Sequence, residues 1–579
     1  MSSQPAASDQ AARWRLLAVG IAVTALGALV AQRLYWYQVT DHATFVALAS
    51  DEHGERLPLT AHRGEILDTN GHPLAMTVMY DSVYAYLPEV TDIDHTSTAL
   101  SDALGMPSDQ VRAALQSASH QWTLIAERVP ASASTQIEAA ALPGVQLRPT
   151  PSREYPEGSI AAQVLGFVGK DGHGLSGIEL SLDDALAGKD GVVVTERDTT
   201  GEEIAIGRKA MVPAVAGSNV VLTIDRYVQH VAEQELTAAV KDSKSVGGQI
   251  LVLDPTTGAI LAMAATPTFS LTSDAGPSDS SQQLYKPVAV TDTYEPGSVM
   301  KLVTVAGAVE DGIVSPDTHY LDTGVGLDNG IPIHNWDGGA YGDVTIRQIL
   351  IHSLNTGAQW VASKLGAERF YDYVDLFGFG HPTGVQLNGE ASGAFRRPTD
   401  PGWTRADLGT NSYGQSISVT PLQMITAIAA LGNGGVLMQP QIVREVNGPD
   451  GARTISPKPV RQVVSAQTAA TMLDMMESVW NQDAFDPIRP KGYRLAAKSG
   501  TADIPSPGGY NTGKTIASFV GFGPLPNPRF VILARLDEPE AIYGGVVAAP
   551  VFRNVAAELL AYYHIPPAQA ANLATAGRQ

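Results

Sequence analysis

Residues 249–264 read QILVLDPTTGAILAMA. Gln249–Asp254 and Ala259–Ala264 are short apolar runs, and the Pro-Thr-Thr-Gly between them is turn chemistry, so the stretch predicts an antiparallel hairpin. Just upstream, VVLTID (Val220–Asp225) reads as a strand and Asp225–Val240 as a helix. Downstream the pattern turns helical with long loops until about Val479. Strand signals then return in YRLAAKSGTA (Tyr493–Ala502), TIASFVGF (Thr515–Phe522) and RFVILARL (Arg529–Leu536), and an apolar helix, Val547–Tyr562, follows. Strands, helices, strands and a closing helix predict an α+β fold: an antiparallel sheet assembled from both ends of the segment around a helical insertion.

From about Val39 to Pro213 the pattern is irregular and turn-rich. LDTNGHPLA (Leu67–Ala75) places Asn70-Gly71 between short apolar stretches, a hairpin signal. SVYAYL (Ser82–Leu87) alternates like a strand, and Ser101–Ala118 and Ser134–Leu142 read as helices. SREYPEG (Ser152–Gly158), GKDGHGLSG (Gly169–Gly177) and AGKDG (Ala187–Gly191) add dense Gly and Pro punctuation, so this region predicts a multi-lobed β-rich module. Asp183-Asp184 reads as a polar turn. VPAVAG (Val212–Gly217) is linker-like.

The 579-residue chain has length for roughly three or four domain-sized units. Its formal net charge of −21, with no Lys/Arg cluster, argues against nucleic acid as a partner. The absence of cysteine excludes disulfides, thiolate catalysis and Cys-ligated zinc. Leu16–Ala31 is an uncharged apolar run spanning about 24 Å as a helix. Arg13 and Arg15 flank it on one side and Leu34, Tyr35, Trp36 and Tyr37 on the other, which lengthens it towards a bilayer span. Arg33 also lies on the far side and reduces the charge asymmetry. No small-x-small cleavage pattern follows the run, so an uncleaved anchor is expected, with the N-terminal dozen residues cytoplasmic and the rest exported. No second run of comparable length is found, so a single span is expected.

Three short strings carry chemistry. In TYEPGSVMK, Pro296-Gly297 is a turn signal and the following residues recur at helical spacing, so Ser298 opens a buried helix with Lys301 one turn on. A serine hydroxyl needs a base, and a lysine amine made neutral by burial and a neighbouring cation can serve. The helix N-terminus also offers N–H groups to an oxyanion. In LIHSLNTG, Ser353 and Asn355 stand in a turn between two helical stretches, where two polar side chains can enter one cleft; a plain helix-cap turn is the ordinary alternative. Lys498-Ser499-Gly500-Thr501 sits on a strand signal. Lys498 supplies positive charge for a carboxylate and can depress Lys301. Gly500 lets a ligand backbone approach. The N–H groups of Ser298 and Thr501 complete an oxyanion pair. Each string alone is common by chance, but their combination in this order is the S-x-x-K, S-x-N, K-[ST]-G set of serine acyltransferases. His334 and His352 lie nearby without ligand spacing, so no metal and no cofactor is expected.

With these strings in place, the chain resembles the class B penicillin-binding proteins. Arg63-Gly64-Glu65-Ile66-Leu67-Asp68 with Asn70-Gly71 is similar to that family's N-terminal pedestal motif; Thr69 departs from it, an arginine being common there. SREYPEG with AAQVLGFVG, and GLSGIE with Gly177 and Glu179, resemble later pedestal motifs. LTIDRYVQ, DPTTGAILAMA and YGQSISVTPLQM resemble the transpeptidase domain. DEP (Asp537–Pro539) followed by YGGVVAAPVF (Tyr543–Phe552) is similar to the cell-division, FtsI-like branch, with the elongation enzymes as the alternative.

The resemblance implies a cytoplasmic N-terminus (1–12), an anchor (13–39), a pedestal (40–215), a transpeptidase domain (216–563) and a tail (564–579). It implies that Ser298 is acylated by a D-Ala-D-Ala stem peptide and passes the acyl group to an amine on a neighbouring stem. Lys301 would be the base. Ser353 and Asn355 would assist proton transfer and position the donor, and Lys498, Ser499, Gly500 and Thr501 would bind it. β-Lactams would acylate the same serine. Nothing resembles a glycosyltransferase domain, so a SEDS-type glycosyltransferase and other divisome proteins are the partners implied. A class D-like β-lactamase and a non-catalytic β-lactam sensor or scaffold are the rival readings.

Overall fold

The computed structural model describes residues 7–45, 54–116, 121–196, 210–272, 279–328, 331–506 and 509–567. By contacts the chain forms two compact units: Met1–His62 with Gly188–Ala216, and Arg63–Ala187 with Gly217–Gln579.

In the first unit, helix α1 (Ala7–Tyr35) is followed by a π-helical turn, Trp36–Thr40. The helix is longer than its apolar run at both ends, about 44 Å at 1.5 Å per residue. Its apolar side chains stand in the open, Leu16 at 72% and Ile21 at 65% exposure. Length and hydropathy suffice to cross a membrane. Arg33 Nε donates to the Tyr37 hydroxyl at 2.9 Å, and Trp36 Nε1 to Asp41 Oδ2 at 3.2 Å, so the aromatic end is also its polar end. Strands Gly54–Leu59, Gly191–Glu196 and Ala210–Val212 make a small antiparallel sheet in the same unit.

The second unit begins with the Asn70-Gly71 hairpin. Strands β1 (Ile66–Leu67) and β2 (Pro73–Tyr86) flank it, and Gly71 has φ +86°. β2 begins well before the alternating SVYAYL, ends at Tyr86 and pairs with Trp122–Val129 and Val145–Glu154. The helix expected over Ser101–Ala118 is instead two, Ile93–Leu104 and Ser108–Leu115. Gly105 at φ +66° ends the first and Pro107 starts the second; residues 117–118 lie outside the described residues. β1 also pairs, in parallel, with β3 (Asn219–Leu222).

Arg63, Arg153, Glu179 and Asp183 meet in one largely buried ion network. Glu179 is fully buried and accepts from Arg63 Nε and Arg153 Nε, each at 2.7 Å. Arg63 Nη1 donates to Asp183 Oδ1 at 2.6 Å, and Asp183 also accepts the Gly174 N–H, so Asp183 is an ion-pair partner and not a plain turn residue. Gly64 and Gly177 are forced by close backbone: a Cβ on Gly64 would lie 2.0 Å from Ser218 O, and one on Gly177 2.5 Å from Val164 O. Asp68 accepts the backbone N–H groups of Asn70 and His72, fixing the hairpin, and its carboxyl is held below the ordinary carboxylate range despite burial. Thr69 receives an arginine from elsewhere: Arg444 Nη1 donates to its carbonyl at 2.5 Å and its hydroxyl at 2.9 Å.

Beyond β3, Asp225 caps helix α2 (Arg226–Ser243), and β4 (Gly247–Leu253) and β5 (Ile260–Thr266) form the expected hairpin. A helical region follows, containing α3 (Lys301–Glu310), α4 (Ile346–His352) and α5 (Asn355–Leu365). Strand β6 (Val443–Gly448) adds to β3, and then β7 (Ala496–Ser506), β8 (Gly509–Gly523), β9 (Phe530–Asp537) and α6 (Ala549–Tyr562) complete the unit. The main sheet runs β5-β4-β9-β8-β7, antiparallel throughout. Interior strand β4 is buried on both faces, which explains its unbroken apolar run. Leu251, Leu533 and Val520 face α3 and its neighbours; Ile250, Ile532 and Phe519 face α2 and α6. The residues spanning α6 have membrane-like hydropathy, but Phe552, Val555 and Leu559 are buried against the sheet, so α6 is a core helix.

The pattern of the helical insertion hid several short strands, 319–322 with 342–345, 325–328 with 331–334, and 436–438 with 459–462. Each has three or four residues, and Pro459–Gln462 is wholly exposed, so no apolar alternation announces it. Removing one partner from a buried ion pair costs about 3–5 kcal/mol. Glu179→Ala should therefore leave the buried Arg153 guanidinium without its carboxylate and Arg63 with Asp183 alone. Hydrogen exchange is expected to rise across residues 63–83 and 145–186 well before the β4–β9 sheet responds; unchanged protection there would contradict this account of the network.

Candidate active site

Ser298 sits in a tight 3-10 turn, Gly297–Met300, that runs straight into α3. Gly297 has φ +57°, and a Cβ there would fall 2.5 Å from Thr501 O, so the nucleophile turn and β7 touch backbone to backbone. Ser298 is half-buried. Lys301, the first residue of α3, is fully buried.

Lys301 Nζ lies 2.8 Å from Ser298 Oγ, 2.6 Å from Ser353 O, 2.8 Å from Asn355 Oδ1 and 3.3 Å from Ser353 Oγ. Asn355 Nδ2 donates to His334 O at 3.0 Å, which fixes the amide so that its oxygen faces the lysine. Ser353 O and Asn355 Oδ1 can only accept. A neutral amine has two N–H bonds for them and keeps its lone pair for the Ser298 hydroxyl. Burial holds Lys301 well below its ordinary range, and the neighbouring Lys498 pushes it further in the same direction.

Ser353 is the C-cap of α4 with φ +57°, and a capping box at Thr345 and Gln348 fixes the other end of that helix. The left-handed turn presents both the carbonyl and the hydroxyl of Ser353 to the two lysines. Ser353 is thus at once a helix cap and a hydrogen-bonding neighbour of both lysines. Lys498 Nζ lies 2.9 Å from Ser353 Oγ and 2.9 Å from Ser499 O, so the Ser353 hydroxyl bridges the two amines. Lys498 is fully buried, which brings it down to about 7. β7 is an edge strand, and Ser499 and Thr501 are half-buried on it. Thr501 Oγ1 accepts the Gly544 N–H at 3.1 Å.

Gly500 serves the protein's own packing. A Cβ there would meet Ser518 Oγ at 2.3 Å, Val299 at 2.9 Å and Pro296 O at 3.1 Å, so the glycine admits the nucleophile turn rather than a ligand. Sequence reading also missed Trp336 and Tyr543. Trp336 Nε1 donates to His352 O at 3.0 Å and its ring meets that of Tyr543 at 5.1 Å, beside the Ser353 and Thr501 segments. No spacing signals this pair, because it joins segments far apart in the chain. His352 stacks on Tyr341, and His334 contributes its carbonyl to Asn355.

Residues 248–557 match the family model for the penicillin-binding protein transpeptidase domain, and residues 58–222 the one for the penicillin-binding protein dimerisation domain. The chain belongs to the class B penicillin-binding proteins. It is 31% identical to stage V sporulation protein D of Bacillus subtilis (97% of this chain, 87% of that one). It is 30% identical to the peptidoglycan D,D-transpeptidase FtsI of Escherichia coli K12 (96% and 92%). A crystal structure of penicillin-binding protein 3 from Mycobacterium tuberculosis, complexed with aztreonam, superposes with TM-score 0.68 at 31% identity, covering 88% of this chain and 99% of that one.

In this penicillin-binding protein, burying Lys498 is a cost. Its depressed value means that the unfolded chain binds the proton more readily, so the penalty is full below about 7 and fades as pH rises towards the ordinary lysine value of 10.5. Lys498→Met is therefore expected to keep or raise the thermal midpoint at neutral pH, with its advantage over the parent shrinking as pH is raised. A variant that loses stability equally at both ends of that range would refute this assignment.

Proposed function

We propose that the chain is a peptidoglycan D,D-transpeptidase that cross-links stem peptides through a Ser298 acyl-enzyme. The observation that carries the reading is the Lys301 amine: buried, 2.8 Å from the Ser298 hydroxyl, with two obligate acceptors occupying its N–H bonds. The name and near full-length match of the FtsI relative support it.

Ser298 Oγ attacks the carbonyl carbon of the penultimate D-alanine while its proton passes to Lys301 Nζ. The carbonyl oxygen becomes an oxyanion held by the N–H groups of Ser298 and Thr501, which the contact of Gly297 with Thr501 brings together. The C–N bond to the terminal D-alanine then breaks, and the leaving amine takes a proton from the Lys301–Ser353–Lys498 chain. An amine of a second stem attacks the ester, gives up a proton along the same chain and regenerates Ser298. Asn355 positions the donor, and the terminal carboxylate is held by Lys498, Ser499 and Thr501, with Gly500 keeping β7 close. The arriving carboxylate favours the charged form of Lys498 and so depresses Lys301 further. β-Lactams place a reactive amide at the same atom.

α1 would anchor the chain with residues 1–12 in the cytoplasm, residues 40–215 as pedestal and 216–563 as the catalytic domain outside. The pedestal motif residues Arg63, Gly64, Asp68, Gly177 and Glu179 would keep that pedestal rigid. Cell division is the role we assign, with glycan strands supplied by a SEDS-type glycosyltransferase.

Labelling with a fluorescent penicillin followed by peptide mapping tests the assignment. Label is expected on Ser298, persisting for many minutes, and absent in Ser298→Ala. Lys301→Ala should slow acylation by about 10²–10⁴. Label on another residue, or rapid release of hydrolysed drug, would overturn the reading.

A further inference from the structure

Tyr294–Gly297 leads into the nucleophile turn, and Glu295 within it meets two other segments. Its Oε1 accepts the backbone N–H of Ser416 at 3.0 Å and the Tyr510 hydroxyl at 3.4 Å. Ser416, with φ +59°, lies in the turn that follows helix Arg405–Ser412. Tyr510 lies on β8, opposite Pro505, at the far end of the hairpin whose other strand carries Lys498–Thr501. The same turn is bonded to the nucleophile segment again: Gly297 N–H donates to Gly414 O at 3.0 Å, and Tyr294 and Val419 exchange both backbone bonds at 2.9 Å. Glu295 is 9% exposed, and its Oε2 is buried with no hydrogen-bond partner.

We propose that Glu295 is a positioning residue whose carboxyl clasps the Ser298 turn to the Ser416 turn and to the Tyr510 end of the β7–β8 hairpin, keeping nucleophile and substrate strand in register. The inference rests on the transpeptidase reading and goes beyond it, since Glu295 touches neither lysine nor substrate.

The clasp works as the neutral acid. A buried carboxylate with one oxygen unpartnered is costly. The groups facing Glu295 are the Tyr510 and Tyr413 hydroxyls and a second carboxylate, Asp503 on β7. Burial raises Glu295 to about 7, Asp503 adds to the shift, and the Ser416 and Tyr510 hydrogen bonds act against it. Opening the clasp exposes the carboxyl and lets it ionise at its ordinary value. As pH rises from that range to about 7, opening becomes progressively easier. This trend is opposite to that of Lys301, whose base form grows with pH.

The test is acylation of the full chain, in detergent, by a fluorescent penicillin, with the first-order acylation constant separated from the drug dissociation constant from the ordinary carboxylate range up to about 7. Deprotonation of Lys498 begins at the top of the same window but acts on dissociation through the carboxylate, whereas the clasp acts on the first-order constant. Glu295→Ala is expected to lower the first-order constant about tenfold or more, the scale of a small misplacement of a reacting group. Glu295→Gln, a permanent mimic of the neutral acid, should restore most of it and remove the loss that the clasp imposes on the parent as pH rises towards 7. Glu295→Ala within about twofold of the parent, Glu295→Gln as impaired as Glu295→Ala, or Glu295→Gln keeping the parent's pH profile over that window would each overturn the proposal. Should Glu295→Ala not fold, the pH profile of Glu295→Gln decides alone. A parent chain that takes no label at Ser298 would overturn the transpeptidase reading instead.

Discussion

A lysine amine buried within the protein and set beside a second buried lysine, so that burial and like charge both favour its neutral form, is the constraint on which the catalytic unit depends. In solution Lys301 would carry a proton and be useless as a base. Here α3 is buried on nearly all sides, Ser353 O and Asn355 Oδ1 occupy two N–H bonds, and Lys498 makes a further positive charge unfavourable. Each of these groups comes from a different element: α3, the α4–α5 junction and β7. The helical insertion has to be folded into the sheet before the amine is tuned. Chemistry and tertiary packing are the same event in this site.

The arrangement also explains why so many glycines and left-handed residues cluster around the site. Gly297, Gly414, Gly500 and Gly544 each lie where a Cβ would strike backbone or a packed side chain. Ser353 and Ser416 hold positive φ without being glycine; the Ser353 N–H is bonded to Ile349 O within its own helix end, and the Ser416 N–H to Glu295 Oε1 from the Ser298 segment. Strain of this kind is tolerated because the surrounding core is close-packed. What it achieves is proximity: the Ser298 turn lies directly on β7 where Gly297 meets Thr501 O.

Much of this was legible in the sequence, and what was not has a physical reason. The β4–β5 hairpin, the three C-terminal strands and α6 announce themselves because each is long and strongly apolar. The three catalytic strings announce themselves through residue type and order, and the fold brings Ser298, Lys301, Ser353, Asn355 and Lys498 within hydrogen-bonding distance of one another or of a shared partner. Hidden were the features made by pairs distant in the chain. Asp183 looked like a turn because its partner, Arg63, is 120 positions away. Trp336 and Tyr543 meet across the site with no local signal. The short strands between 319 and 462 carry too few buried residues for any period to show. Gly500 was visible, but its packing role was not: a Cβ there would strike Ser518, Val299 and Pro296 of the protein itself.

The pairing of β1 with β3 has a consequence for how the molecule comes into being. Ile66 lies beside Val220 in parallel register, and β3 in turn pairs with β6, where Leu222 meets Val443. One sheet thus joins segments drawn from the beginning, middle and last third of the polypeptide. During synthesis β3 has only one of its two neighbours. The sheet stays open at that edge until residue 443 has been made, leaving exposed strand backbone that seeks a partner. Completion of that sheet is therefore a late step, and a chain cut short before β6 would leave the β3 edge without its partner.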